Sequence, residues 1–306
     1  MTDADPRPDR RSVLSGLVAA LGGVAGCAGR LGGSGAAPGS VSLLAAGSLN
    51  NALENGLRPS VDVTLRVEAR GSAELARLVD EGAKDPDVVS VADVALFDGP
   101  LRPDWFAEFA TNSIVVAYNA ETEGGQRLAE AGPESWYRPL LSGELALGRT
   151  DPDLDPLGYR TLFVLDLATD HYDTGTDLRA AIPEREQIYP ETQLVSQFET
   201  GSIDAAIAYR NMAVERGYDY VDLPPEIDLG HPAHTENYAR ASYELPSGKV
   251  VEGGLISYGS TIRHRSPAVL DVFDAHTTGG YLQEYGFGVP DDYPRYTGDV
   301  PETVAS

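Results

Sequence analysis

Three short stretches hold the residues best suited to chemistry. Ala45-Ala46-Gly47-Ser48, Ala69-Arg70-Gly71-Ser72 and Gly148-Arg149-Thr150-Asp151-Pro152 share one plan. In each, a strand-like run ends, one or two residues turn, and a hydroxyl residue stands where a helix can begin. The plan brings free backbone N–H groups, the positive end of a helix dipole and a hydroxyl donor to one point. That is an anion site needing no net positive charge. Glycine there lets backbone approach a ligand with no side chain in the way. One such turn alone is an ordinary helix N-cap. Two after consecutive strands, at the edge where an open α/β sheet holds its ligands, point to an oxyanion.

Enzyme constellations fare worse. The chain has no Gly-x-Ser-x-Gly elbow, no glycine-rich loop ending in Lys-Ser/Thr and no His-Glu-x-x-His. His231-Pro232-Ala233-His234 has a metal pair's residues, but the proline spoils a helical spacing, so a turn is expected. His171, His264 and His276 stand alone and read as surface or cap residues. Asp151, Asp153 and Asp155 alternate, yet their loop lacks the central glycine and distal glutamate of a calcium loop.

The elements that must position these residues alternate strand and helix. Strands are predicted at 41–46, 61–67, 88–91 and 113–118, with helices near 51–57 and from Ser72, where Leu75, Leu78 and Val79 share a face. A second unit begins over 136–141 and 145–149. It continues with helices near 157–169 and 192–200 and a strand at 203–209. A strand at 255–262 and helices at 267–276 and 280–285 close the chain. The alternation argues for mostly parallel sheets covered by helices.

Composition bounds the partners. The 306 residues carry 23 Lys and Arg against 47 Asp and Glu, a net charge of −24. Such a chain repels phosphate backbones, which excludes nucleic acid as a natural partner. Lys84 and Lys249 are the only lysines, and the acids are spread throughout, the balance of a protein soluble in very high salt. Arg10-Arg11 precedes a weakly apolar stretch from Gly16 to Gly26, the pattern of a twin-arginine export signal. Val24-Ala25-Gly26-Cys27 reads as a lipobox whose thiol takes a lipid. Residues 28–40 then form a Gly/Ser/Pro/Ala tether. With no second cysteine, disulfide and multi-thiolate chemistry are out. The expectation is a protein exported by the twin-arginine route and lipid-anchored on the outer face of the membrane.

Several strings resemble one family. Ala46-Gly47-Ser48-Leu49, Gly71-Ser72, Phe109-Ala110-Thr111-Asn112, the run from Gly148 through Asp155-Pro156-Leu157-Gly158-Tyr159-Arg160, and Ala208-Tyr209-Arg210 come in the order of the molybdate/tungstate substrate-binding proteins of ABC importers, archaeal branch. The resemblance runs from about Val41 to Pro290. It implies a two-lobed periplasmic-binding-protein fold of type II, each lobe a mostly parallel sheet flanked by helices. The expected division is signal 1–26, tether 27–40, first lobe 41–115 with 254–306, and second lobe 116–253. Crossings between lobes are expected near Asn112–Asn119 and Lys249–Ser257. Ser48 and Ser72 would hold the oxyanion from the first lobe and Asp155 and Tyr209 from the second, with Gly47, Gly71 and Thr150 as further contacts. Glu191, in Pro190-Glu191-Thr192, matches a second carboxylate that in archaeal members joins the metal in six-fold coordination. Ala208 departs from the larger or acidic residue expected beside the tyrosine.

A bare carboxylate facing an oxyanion meets like charge in a dry cleft, which costs several kcal/mol, roughly, if nothing compensates. Mo(VI) and W(VI) can expand their coordination to take the carboxylate oxygen, whereas the sulfur of sulfate cannot. Asp155 can instead accept a proton from hydrogen phosphate, pair with Arg149 or Arg160, or simply cap the helix starting near Leu157. The leading expectation is therefore a monomeric binding protein with no catalysis and no cofactor. Its ligand would be molybdate or tungstate, and its partners an ABC permease and ATPase. Sulfate or phosphate binding, a metal-dependent hydrolase built on the Asp151–Asp155 loop, and a purely structural surface lipoprotein stand as alternatives.

Overall fold

Short runs rich in Val, Leu, Ile and Ala, punctuated by Gly, Pro and Asp, make strands that are covered on both faces. The computed structural model describes residues 39–182, 187–189, 191–246, 248 and 250–304, with Glu191 and Thr192 described by their backbone only. Cys27, the export signal and most of the tether lie outside the described residues. The strands are β1 Ser40–Ala46, β2 Thr64–Arg70, β3 Val88–Val91, β4 Trp105–Thr111, β5 Ile114–Tyr118 and β6 Leu147–Gly148. They continue with β7 Ala205–Tyr209, β8 Asp219–Asp222, β9 Ser242–Glu244, β10 Val250–Glu252, β11 Ser257–Ile262 and β12 Arg295–Gly298.

Six of them form one sheet in the order β12-β4-β11-β3-β1-β2, and four form another in the order β6-β7-β5-β8; β9 and β10 make a separate pair. In the larger sheet β1 runs parallel to β2 and β3, whereas β11 is antiparallel to β3 and β4, and β12 to β4. In the smaller sheet only β6 and β7 are parallel. Both sheets are thus mixed, not mostly parallel. The reason is topological. β4 delivers the chain out of the larger sheet at Thr111, and β11 re-enters it beside that point at Ser257, so the two must run in opposite directions.

The smaller sheet is an insertion into the larger one. β5 begins at Ile114 and pairs only with β7 and β8, so residues 114 and 115, expected on the first-lobe side, belong to the smaller sheet. The outgoing and returning segments lie side by side. The Asn112 N–H donates to the Ile256 carbonyl at 2.9 Å, while Thr111 and Gly288 exchange backbone bonds at 2.8 and 2.9 Å. A Cβ on Gly288 would lie 2.3 Å from Thr111 Oγ1, so any other residue there would force the Thr111 side chain to move.

Helices Ser72–Asp80 and Pro267–Thr278 pack on the larger sheet and Pro156–His171 on the smaller. The core includes Leu43, Leu49, Phe109, Phe273 and Phe287 in the first lobe and Val116, Leu157, Phe163 and Ile207 in the second. Among the described residues no helix is long and apolar enough to cross a membrane. One histidine departs from expectation: His276 is neither surface nor cap but fully buried, its Nε2 2.9 Å from Ser90 Oγ and its Nδ1 2.8 Å from the Tyr281 hydroxyl. Its ring also lies 4.5 Å from that of Phe109, and helix Pro267–Thr278 carries it inward as one more core residue.

Candidate functional site

β1 ends at Ala46, and the chain turns at once into the helical turn Gly47–Leu49, which carries Ser48. The Ser48 Oγ lies 2.9 Å from the Tyr258 hydroxyl on β11. β2 ends at Arg70, and Gly71 leads into helix Ser72–Asp80. There the Ala92 N–H, just past β3, donates to Ser72 Oγ at 3.0 Å. That bond occupies a lone pair of Ser72 and leaves its own proton to donate. Neither Gly47 nor Gly71 has a positive φ. A Cβ would meet nothing closer than 3.7 Å at Gly47 and nothing within 4 Å at Gly71. Backbone geometry and packing do not demand these glycines; they leave open space at two neighbouring strand ends.

The second lobe supplies Asp155, Thr150 and Tyr209. Asp155 is the N-cap of helix Pro156–His171, with extended φ −136° and Pro at the first helical position. Its Oδ1 accepts from the Leu157 N–H at 2.7 Å. The other carboxylate oxygen has no hydrogen-bond partner among the described residues, so capping uses half of the group. Burial pushes the Asp155 carboxyl above its ordinary range, against the opposing pull of the Leu157 N–H and Arg160. Gly158 makes this corner possible, since a Cβ on it would lie 2.5 Å from the Asp151 carbonyl and the Pro152 nitrogen.

Asp151 and Asp153 point elsewhere. Asp151 Oδ1 accepts from the Asp153 N–H at 2.9 Å, and Asp153 Oδ1 accepts from the Tyr243 hydroxyl at 2.6 Å. The three carboxylates do not converge, and no trio of metal-ligating side chains occurs among the described residues. Thr150 is buried, and its hydroxyl has no partner among the described residues. An unmet buried hydroxyl is a cost that a ligand oxygen would remove. Glu191 starts helix Glu191–Glu199, but its carboxylate lies outside the described residues.

Tyr209 closes β7, and Arg160 Nη1 donates to its hydroxyl at 2.6 Å. The charges of Arg160, Tyr209, Asp93 and Asp155 all act on Tyr159, whose phenol burial has already pushed up. Asp93 adjoins Ala92, the residue bonded to Ser72. Tyr258, bonded to Ser48, in turn feels Tyr209 and Arg160. Electrostatics thus link Tyr258, the partner of Ser48, to Tyr209 and Arg160, and Arg160 to Asp155, in one group, while Ser72 is bonded to the Ala92 N–H.

Arg160, Tyr258, Asn112 and Asn211 were not foreseen in that group. Arg160 carried a signal, being a guanidinium beside an Asp-Pro cap in a chain short of bases. Tyr258 carried none locally, because only the return of β11 beside β4 brings it to Ser48. Chemically the group offers hydroxyl donors, helix N-terminal N–H groups, one guanidinium and one half-used carboxylate. That set suits an acceptor-rich anion whose central atom can also take an oxygen ligand.

Residues 45–243 match the family described as bacterial extracellular solute-binding protein. A Haloferax volcanii protein named as an ABC transporter molybdenum-binding protein is 52% identical over 301 residues, 97% of each chain. The molybdate/tungstate-binding protein WtpA of Pyrococcus abyssi is 32% identical over 233 residues, 68% of this chain and 67% of its own. In fold, the chain is similar to a substrate-binding domain from Clostridium difficile named for a molybdenum ABC transporter. The TM-score is 0.55 at 14% identity, covering 82% of this chain and 99% of that one.

Proposed function

The chain belongs to the bacterial extracellular solute-binding protein family, and on that premise we propose that it captures molybdate or tungstate as the substrate-binding component of an ABC importer. The observation that carries this reading is Asp155. One oxygen caps a helix while the other has no hydrogen-bond partner among the described residues, and Arg160 acts on the group. Against sulfate, such an oxygen would be repelled with no compensating bond. Against Mo(VI) or W(VI) it can become a ligand. The two relatives named for molybdenum, molybdate or tungstate binding support the same solute.

In this reading Ser48, Ser72, Thr150 and Tyr209 donate to the oxo groups, Gly47 and Gly71 leave room for them, and Asp155 and Glu191 supply carboxylate oxygens. The larger and smaller sheets act as two lobes, and their closing around the anion is what an ABC permease and its ATPase sense. No chemistry is performed on the solute. Export by the twin-arginine route, a lipid on Cys27, a monomeric state and adaptation to high salt complete the proposal. The lipid and tether would keep the binding body concentrated near its permease.

The test is calorimetric titration of the chain from Ala28 onward, in chloride at high ionic strength. Molybdate, tungstate, sulfate and phosphate are added separately. One-to-one binding of the first two and none of sulfate is expected, with Asp155→Ala losing most of the affinity. If no oxyanion binds, the import reading is wrong.

A further inference from the structure

Ser48 is held from two sides, at its hydroxyl and at its backbone carbonyl, by a closed ring through Tyr258, Asn112 and Asn211. Its Oγ meets the Tyr258 hydroxyl at 2.9 Å, and Asn112 Nδ2 donates to the same phenol oxygen at 3.2 Å. Asn112 Nδ2 also donates to Asn211 Oδ1 at 2.7 Å, and Asn211 Nδ2 returns to the Ser48 carbonyl at 3.1 Å. Ser48 and Tyr258 belong to the larger sheet's side and Asn211 to helix Arg210–Arg216 of the smaller one, while Asn112 stands on the crossing between them.

The donor directions in this ring follow from its parts. Asn112 Oδ1 accepts from the backbone N–H groups of Ser113 at 3.0 Å and Asn211 at 3.4 Å, which sets the amide's orientation. Both amide protons of Asn112 are therefore spent on Asn211 and Tyr258. Tyr258 is 2% exposed, and burial pushes its phenol up to about 12, so it keeps its proton. A buried hydroxyl proton needs an acceptor, and Asn112 Nδ2 cannot be one. Ser48 Oγ is the acceptor within reach among the described residues. Tyr258 thus donates to Ser48, and the proton of Ser48 itself must point elsewhere, out of the ring.

We propose that Tyr258 is a positioning residue that turns the Ser48 proton out of the ring, to donate to an oxyanion. A free serine hydroxyl serves equally as donor or acceptor. With one of its two lone pairs taken by Tyr258, Ser48 has its proton free to donate outward, which suits oxo groups. The companion turn works alike, since the Ala92 N–H occupies a lone pair of Ser72. This inference rests on the oxyanion reading of the site and adds to it the origin of the serine's polarity.

The test is a double-mutant cycle on the chain from Ala28 onward, using Tyr258→Phe, Ser48→Ala and both together, with tungstate titrated by calorimetry. The ring of Tyr258 packs edge-on against Phe287 at 5.1 Å and Phe109 at 6.4 Å, contacts that phenylalanine keeps. Tyr258→Phe alone is expected to weaken tungstate binding about tenfold, and to change nothing further once Ser48 is alanine. An equal loss in both backgrounds means a general structural role and overturns the proposal, as does full affinity in Tyr258→Phe. If that variant does not fold, Asn112→Ala takes its place. The phenol oxygen is then free to accept from Ser48, and the loss must again vanish in the Ser48→Ala background. A wild-type chain that binds no oxyanion sinks the function, whereas wild-type binding with an indifferent Tyr258→Phe sinks this inference alone.

Discussion

Arg160 grips Tyr209 in two ways: its Nη1 donates to the phenol oxygen at 2.6 Å, and its guanidinium carbon lies 5.6 Å from the ring centroid. Five positions separate this arginine from Asp155, so one helix start delivers both a carboxylate and a cation to the same group. In a chain of net charge −24 the local guanidinium sets the field that an approaching anion meets.

Arg160→Gln should therefore weaken tungstate or molybdate binding by about ten- to a hundredfold. Arg160→Lys should fall between, keeping charge but losing the planar fork. Calorimetry on both variants checks this, and an Arg160→Gln protein with wild-type affinity refutes it.

Asp155 makes the site sensitive to pH in a defined direction. Its carboxyl is raised above 3.8 by burial. The contribution to folding stability is then present below 3.8 and lost as pH rises through the raised value. Binding runs the other way if the ionised oxygen is a metal ligand: affinity drops as pH falls through that value, and Asp155→Asn, already weak, stays flat. Affinity that rises on acidification would mean a protonated Asp155 donating a hydrogen bond.

His276 predicts an acid weakness of the first lobe. Burial lowers it from 6.5 to about 3, so the folded protein excludes a proton that the unfolded chain takes up. Stability is complete above pH 6.5 and is lost as pH falls toward 3, by about 1.4 kcal/mol per pH unit at most. Thermal unfolding of wild type and His276→Gln across this window should show the variant with the shallower pH dependence. Parallel curves would remove His276 from the account.

Gly158→Ala should cost about 1–3 kcal/mol and disturb the site together. The added methyl would collide with the Asp151–Pro152 backbone and shift the corner that presents Asp155. Loss of both melting temperature and tungstate affinity is expected. Intact affinity would mean that the loop yields without moving the carboxylate.

Salt should stabilise this protein over an unusual range. Self-repulsion at −24 is screened as the Debye length shrinks from about 10 Å at 0.1 M to about 3 Å at 1 M. The unfolding midpoint should climb steadily between those concentrations of potassium chloride. A flat response would contradict the high-salt reading of the composition.

Much of this arrangement was legible in residue patterns, and the exceptions have causes. β1 and β3 read as strands because of their buried runs of Val, Leu and Ala. The turns at Ser48 and Ser72 were readable because glycine followed by a hydroxyl residue after a strand is a local signal. Helix Glu123–Ser135 was not, since it opens on Gly124-Gly125 and contains Gly132 and Pro133, residues that locally deny a helix. β12, exposed along its length, has no apolar pattern to find. Strand direction was misjudged because parallel alternation looks the same in sequence whether or not a strand returns from an insertion. Ser48, Tyr258, Asn112 and Asn211 are joined across 99 to 210 positions, and only tertiary pairing brings them together.

The hydrogen bond from Asn112 to Ile256 has a mechanical consequence. Two ribbons stitched side by side bend together about a shared axle but resist sliding or twisting past each other. In the proposed closure, a swing of one half would then be held near one arc by this shared crossing. Ser48 and Ser72 on one jaw would meet Asp155 and Tyr209 on the other in unchanged alignment, cycle after cycle, with no search for register.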